Sequence, residues 1–205
     1  MSKPVDYLPL GASAEKELVA GLCRGEAASY RHLYDRFAPR LHRILLRIFA
    51  DSQLASDAVQ ASFLIVFQKI DRFDGRASLL TWLTRIAINE AHGLRKKNAR
   101  RPTQPLTEEK HPRTPEQEHG EREMARKLSL LLQALPEEKR TALLLFEVEG
   151  FSVQEIADIT GEPRGTVLAR LSRTRAELQK DLRDWSGDGR DSSPEIASTR
   201  GRLHV

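Results

Sequence analysis

An all-α fold is the class this sequence predicts, and three observations carry it. Apolar residues recur at three- and four-residue spacing along most of the chain, strand-type alternation is nearly absent, and helix start and stop residues bracket the periodic segments. A proline-rich break then divides the pattern, so the expectation is two small helical domains joined by a flexible linker.

The elements follow in order. Residues 1–12 lack a usable period and are expected to form a flexible N-terminus; the first domain is expected over 13–98. SAEKELVAGLC reads as a helix ending near Gly25. EAASYRHLYDRFAPRLHRILLRIF continues with Leu33, Phe37, Leu41, Ile44 and Leu45 inward, and Pro39 marks a kink or a restart. ASDAVQASFLIVFQKI gives a third helix with Val59, Phe63, Val66, Phe67 and Ile70 as its apolar stripe. SLLTWLTRIAINEAHGLRKK gives a fourth, opening near Ser78 and ending in a basic cluster.

Between 99 and 120 the pattern collapses into four prolines and few apolar residues, which predicts an extended linker. Helical signal returns over 121–184, while 185–205 form a polar tail with little to pack. Within the second domain, Ser152 followed by Glu155 is a capping box, and Ile156 and Ile159 give FSVQEIADIT an inward stripe. Gly161 can close that helix, and Pro163 suits the first turn of the next. That next helix puts Val167, Leu171, Leu178 and Leu182 on one face and Thr166, Arg170 and Arg173 on another. With small Ala157 at the crossing, the pair is a helix-turn-helix candidate whose arginines face either solvent or DNA.

Composition narrows the function classes. The 205 residues are 40% hydrophobic, enough for ordinary cores, and the net charge of +4 permits an anionic partner without requiring one. The lone Cys23 excludes an internal disulfide and a cysteine-built zinc site; its apolar neighbours predict a buried thiol. The N-terminus has no apolar core of signal-peptide length, and no later run approaches the ~20 apolar residues of a membrane span. A cytoplasmic protein without membrane insertion is expected. The histidines are scattered, no glycine loop cradles phosphate, and no nucleophile has a recognisable base, so no enzyme, cofactor or metal is indicated.

RFDGRASLLTWLTRIAINEAHGLRKK is the other informative stretch. A loop with Asp74, Gly75 and Arg76 precedes a helix on which Trp82, Arg85, Ile86 and Asn89 lie close together; Arg95, Lys96 and Lys97 close it. Unstacked bases need a π-face or pocket, an amide can read a base edge, and cations hold phosphates. The competing reading makes Trp82 core, Asn89 solvated and the cations a complement to the helix dipole.

These segments together resemble the extracytoplasmic-function (ECF) group of the sigma-70 family. Residues 26–98 resemble its second region through DAVQASF and FDGRASLLTWLTRIAINEA; LPEEKRTALLLFEVEGFSVQEIADITGEPRGTVLARLSRTRAEL resembles its fourth, with no third domain between. The resemblance implies an alternative sigma factor that binds core RNA polymerase, recognises promoter DNA and helps open it. The second helix of the helix-turn-helix would enter the major groove of the upstream (−35) element, with Arg170 and Arg173 as first contacts and Arg164, Thr166, Ser172 and Arg175 flanking. The loop from Phe73 through Asp74 and Arg76 to Ser78 would pocket a flipped base of the downstream (−10) element. Trp82, Arg85 and Asn89 would line the melting surface, and Arg95, Lys96 and Lys97 would hold the backbone.

The resemblance also implies docking of the third helix on the clamp coiled coil of the polymerase largest subunit through Asp57, Gln60 and Phe63, contact with the polymerase flap, and an anti-sigma partner. Family members follow roughly D-A-E-D-x-V-Q-E-T-F in the docking segment, whereas this chain reads L-A-S-D-A-V-Q-A-S-F. Lost acid weakens docking on a basic clamp, and phosphorylation of Ser56 or Ser62 by a kinase would restore the charge; the alternative is that both serines are neutral substitutions. Leu168 and Ala169 stand where relatives often carry a basic residue and a serine, which leaves fewer polar groups for the groove. Two other classes stay open: a sigma-like decoy that sequesters a regulator, and a duplex-binding regulator using only the helix-turn-helix.

Overall fold

The computed structural model describes residues 10–98 and 119–186, with side chains for 10–98 and 127–183. Most of the expected N-terminal, linker and tail segments lie outside the described residues. The rest is helical, with no strand among the described residues.

Helix α1, Ala12–Cys23, turns Leu18, Gly21 and Leu22 inward, and α2, Ala27–Phe49, buries Leu33, Phe37, Leu41, Ile44, Leu45 and Ile48. Pro39 lies on the exposed side of α2, and the helix runs through it without a restart. Ala50 closes α2 in the left-handed region, and the Asp51 carboxylate then accepts from the Leu54 amide at 2.8 Å, capping α3, Ser52–Lys69. A 3-10 turn at Ile70–Arg72 leads to the loop before α4, Leu79–Asn98. Ser78 Oγ accepts from the Thr81 amide at 3.1 Å, which fixes the start of α4.

Helices α5, His119–Ala134, and α6, Glu137–Glu147, precede the capped pair α7, Val153–Thr160, and α8, Arg164–Ser186. The capping box is present in full: Ser152 Oγ accepts from the Glu155 amide at 3.2 Å, and the Glu155 carboxylate accepts from the Ser152 amide at 2.8 Å. Ile156, Ala157, Ile159, Leu145, Val167 and Leu171 are buried.

Gly161 makes the turn at φ 72°, and an added Cβ would meet nothing within 4 Å. The cost of Gly161→Ala is therefore backbone strain alone, about 1–2 kcal/mol. Thermal unfolding of this variant is expected to fall by several degrees, with helix content retained below the transition.

Three packing expectations are corrected. Cys23 is exposed, because Leu18, Gly21 and Leu22 set the inward face of α1 and the next residue turns away from it. Phe67 is partly exposed, packing edge-on against Tyr30 rather than filling the bundle. Leu182 is half-buried rather than enclosed with Val167, Leu171 and Leu178.

The two helical units pack against each other, which the sequence reading did not anticipate. Helix α7 lies on α4 and α6 touches α2. Thr81 Oγ1 donates to Glu155 at 3.2 Å, and Arg140 Nε donates to the Ile48 carbonyl at 2.8 Å. Glu149, with 1% of its side chain exposed, takes Arg47 on one oxygen; Arg40 lies 3.7 Å from the other and donates to the Glu149 carbonyl at 3.1 Å.

Candidate nucleic-acid interface

The loop after α3 is held by its own residues. Asp74 Oδ1 accepts from the Arg76 amide at 3.1 Å, its carboxylate pairs with the Arg76 side chain at 3.2 Å, and Gly75 at φ 70° permits the turn. Phe73 rests tilted on Trp82, ring centres 5.4 Å apart, leaving both half-buried. Ser78 serves the helix cap instead of facing outward freely.

Beyond Phe73, a cleft runs between α3 and α4, lined by Ile65, Lys69, Arg72, Trp82, Ile86, Asn89 and Glu90. Trp82 thus gives part of its ring to packing and part to a wall beside an amide and two cations. Sequence reasoning placed Trp82 and Asn89 together but missed Lys69 and Arg72. Their signal was available in QKIDRFD, where the cations flank the end of α3 at the mouth of the loop.

The basic cluster ending α4 does not act as one unit. Helical spacing puts Lys96 on the face of Trp82 and Asn89, whereas Arg95 follows Thr81, Ile88 and His92 toward the second helical unit. There Arg95 pairs with Glu137, which also lies 3.0 Å from His92 Nδ1, and its guanidinium covers the Phe49 ring at 5.3 Å. Arg85, Lys96 and Lys97 are exposed and carry no ion pair among the described residues. In this arrangement Arg95 is thus paired within the protein, while Lys96 and Lys97 stay exposed.

On α8 the arginines also divide. Arg170 sends both terminal nitrogens to the two oxygens of Glu162, and Arg175 pairs with Glu147 while covering the Phe146 ring at 4.8 Å. The donated hydrogen bonds from Arg170 hold the Glu162 carboxyl below the usual carboxylate range, and Glu162 raises Arg170 in return. Arg164, Thr166, Ser172 and Arg173 are exposed, as is Leu168 at 51%; Ala169 is half-buried. Arg173 is the outward arginine beside Ser172 without an ion pair among the described residues.

The expected docking helix, α3, shows Gln60 exposed and Asp57 half-buried, with Asp57 accepting from Gln53 at 2.8 Å. Phe63 is buried against Tyr34 and serves the core, so its expected surface contact is corrected. Ser62 is likewise fully buried, its hydroxyl bonded to the Ala58 carbonyl, and offers a kinase no access in this fold. Ser56 is half-buried with its hydroxyl 3.2 Å from His42 Nε2.

The sequence matches the family model for sigma-70 region 2 over residues 33–101 and that for sigma-70 region 4 over residues 125–178. It is 31% identical over 180 residues to the RNA polymerase sigma-H factor of Pseudomonas aeruginosa, spanning 82% of this chain and 93% of that one. The chain belongs to the ECF group of the sigma-70 family. The ECF RNA polymerase sigma-E factor of Haemophilus influenzae is also 31% identical, over 82% of this chain and 95% of its own.

The fold agrees with solved structures. CnrH, in complex with the cytosolic domain of CnrY, superposes with a TM-score of 0.62 at 21% identity, covering 83% of this chain and 97% of that one. RpoE of Bartonella quintana, solved with the anti-sigma factor NepR, gives 0.61 at 24% identity, covering 75% and 96%. This sigma factor is an alternative initiation subunit: it joins core RNA polymerase, carries it to promoter DNA and promotes opening of the duplex. No helix among the described residues is long and apolar enough to cross a membrane.

Proposed function

We propose that this sigma factor divides initiation between two surfaces. The first domain, residues 13–98, meets the polymerase clamp through the outer side of α3 around Asp57 and Gln60. Its cleft takes unstacked bases of the downstream element: Trp82 supplies the π-face, Asn89 the hydrogen-bonding edge, and Lys69, Arg72, Arg85, Lys96 and Lys97 the phosphate contacts. Phe73, Asp74 and Arg76 shape the loop at its mouth. The second domain, residues 121–184, lays the exposed side of α8 into the major groove of the upstream element, led by Arg173 with Arg164, Thr166 and Ser172 beside it.

The cleft carrying Trp82 and Asn89 between two cations is the observation that supports this reading best. No bond is made or broken by the sigma factor itself; opening follows from tighter binding to the separated strand than to the duplex. The work takes place in the cytoplasm. An anti-sigma protein is the expected regulator, since the solved RpoE of similar fold was captured with one. Ser56, the more accessible of the two serines, is the remaining place for a kinase to add charge near the clamp-facing side.

Run-off transcription with core RNA polymerase on a promoter panel tests the assignment. The chain is expected to initiate at specific start sites, and Arg170→Ala/Arg173→Ala to lose that specificity. Silence of the unsubstituted chain, with binding to an anti-sigma regulator retained, would favour a decoy. Duplex binding without polymerase engagement would favour a plain regulator.

A further inference from the structure

The turn that leads into the recognition helix carries an acid that the promoter-binding reading does not use. Glu162 lies in the turn between α7 and α8, after the left-handed Gly161 and before Pro163. Its two oxygens take the two terminal nitrogens of Arg170 in a fork-to-fork pair across the first turns of α8. Both partners are mostly withdrawn from solvent, with 28% of the Glu162 side chain and 17% of the Arg170 side chain exposed.

This pair has a direct consequence for recognition. An arginine reads guanine through the same two-pronged edge that Glu162 occupies, so Arg170 cannot make that contact while paired. Nor does it present a full positive charge to a phosphate, because the neighbouring carboxylate cancels it. Arg170 shares a cleft between α6 and α8 with Glu138, Lys139, Thr166, Ala169 and Arg173, so release would place its guanidinium at the edge of the exposed face. Among the described residues Glu162 is the acid hydrogen-bonded to Arg170, with Glu138 acting on it through charge alone, so losing Glu162 would add Arg170 to a face that already presents Arg164 and Arg173.

We infer that Glu162 is a positioning residue for promoter discrimination: it withholds Arg170 from the DNA backbone, leaving the sequence-reading face to Arg173, Ser172 and Leu168. This rests on the assignment of α8 to the major groove. Withheld charge matters because phosphate contacts add affinity for every sequence alike, whereas base contacts add it for one. Neutralising Glu162 is expected to raise affinity for unrelated DNA more than for the promoter.

The test measures binding of the full chain, and of its complex with core RNA polymerase, to a mixed-sequence duplex across a salt series. One released cation steepens the log–log salt slope by about 0.9 in Glu162→Gln, corresponding to roughly a three- to fourfold change in relative affinity between 50 and 200 mM salt. The same substitution in an Arg170→Gln background is expected to change nothing, which separates release of Arg170 from a general gain of positive charge. Glu162→Asp, which keeps the carboxylate, is expected to retain most of the original discrimination. An unchanged slope in Glu162→Gln, including the case in which neither protein holds the duplex, overturns the inference. So does an equal gain in the Arg170→Gln background. Run-off transcription by the unsubstituted complex decides the underlying assignment separately: initiation with an unchanged slope removes the positioning role alone, whereas failure to initiate removes the promoter reading.

Discussion

Glu149→Ala is expected to separate the two helical units while leaving each of them helical. Glu149 follows α6, and its side chain is almost wholly enclosed against α2, where Arg47 and Arg40 approach its two oxygens. Arg40 also donates to the Glu149 carbonyl and lies over the Phe151 ring at 5.7 Å, so the cation ties side chain, backbone and ring of one turn to α2. Removing one partner of a buried ion pair costs up to about 3–5 kcal/mol, the full range applying where the remaining charge has no other partner. Arg47 is 38% exposed and recovers part of its hydration, which places the expected loss at the lower end.

Beside the packing of α7 on α4, the other polar contacts between the units among the described residues include Thr81 with Glu155, Arg140 with the Ile48 carbonyl, and Glu137 with Arg95 and His92. Glu137, Arg95 and His92 are partly exposed, and such pairs typically contribute about a kilocalorie per mole or less. The interface is therefore expected to open. Small-angle scattering should give a larger radius for Glu149→Ala with unchanged far-ultraviolet circular dichroism. An unchanged radius would mean that the apolar packing of α7 on α4 holds the units together without the buried acid.

Much of this fold was legible because helix punctuation is local. Ser152, Glu155, Gly161 and Pro163 fix the helix-turn-helix within a dozen residues, and each acts through the backbone beside it. The inward stripe of α2 was equally readable from spacing. Of the two readings of Pro39, the restart is excluded, because α2 runs unbroken through the proline, which lies on the exposed side of the helix. Phe63 and Ser62 misled because a family motif states which residues recur, not which of them face outward.

The candidate site was less legible wherever charge pairing decided it. Helical spacing puts Arg170 beside Arg173, yet only three-dimensional placement of Glu162 shows that one is paired and the other is not. Arg95 is the same case, since its partner Glu137 comes from beyond the linker. Such partners carry no periodic signal.

Trp82→Ala is expected to impair opening of the promoter far more than use of a promoter already opened. The indole is half-buried, with Phe73 on one side and the cleft holding Asn89, Lys69 and Arg72 on the other. Loss of a stacking platform costs about 1–3 kcal/mol per base, or roughly a 5- to 150-fold fall in the fraction of promoter opened. That penalty applies only where opening must be driven by binding the separated strand, because a contact made equally in both states shifts no equilibrium. Run-off yield on a fully paired template should therefore fall within that range, while a template with a pre-formed bubble loses much less. Trp82→Phe keeps a π-face and much of the packing on Phe73, and should recover most of the difference between templates. Equal losses on both templates, accompanied by a lower melting temperature, would assign Trp82 to the core of the first domain and leave Lys69, Arg72 and Asn89 to hold the opened strand without it.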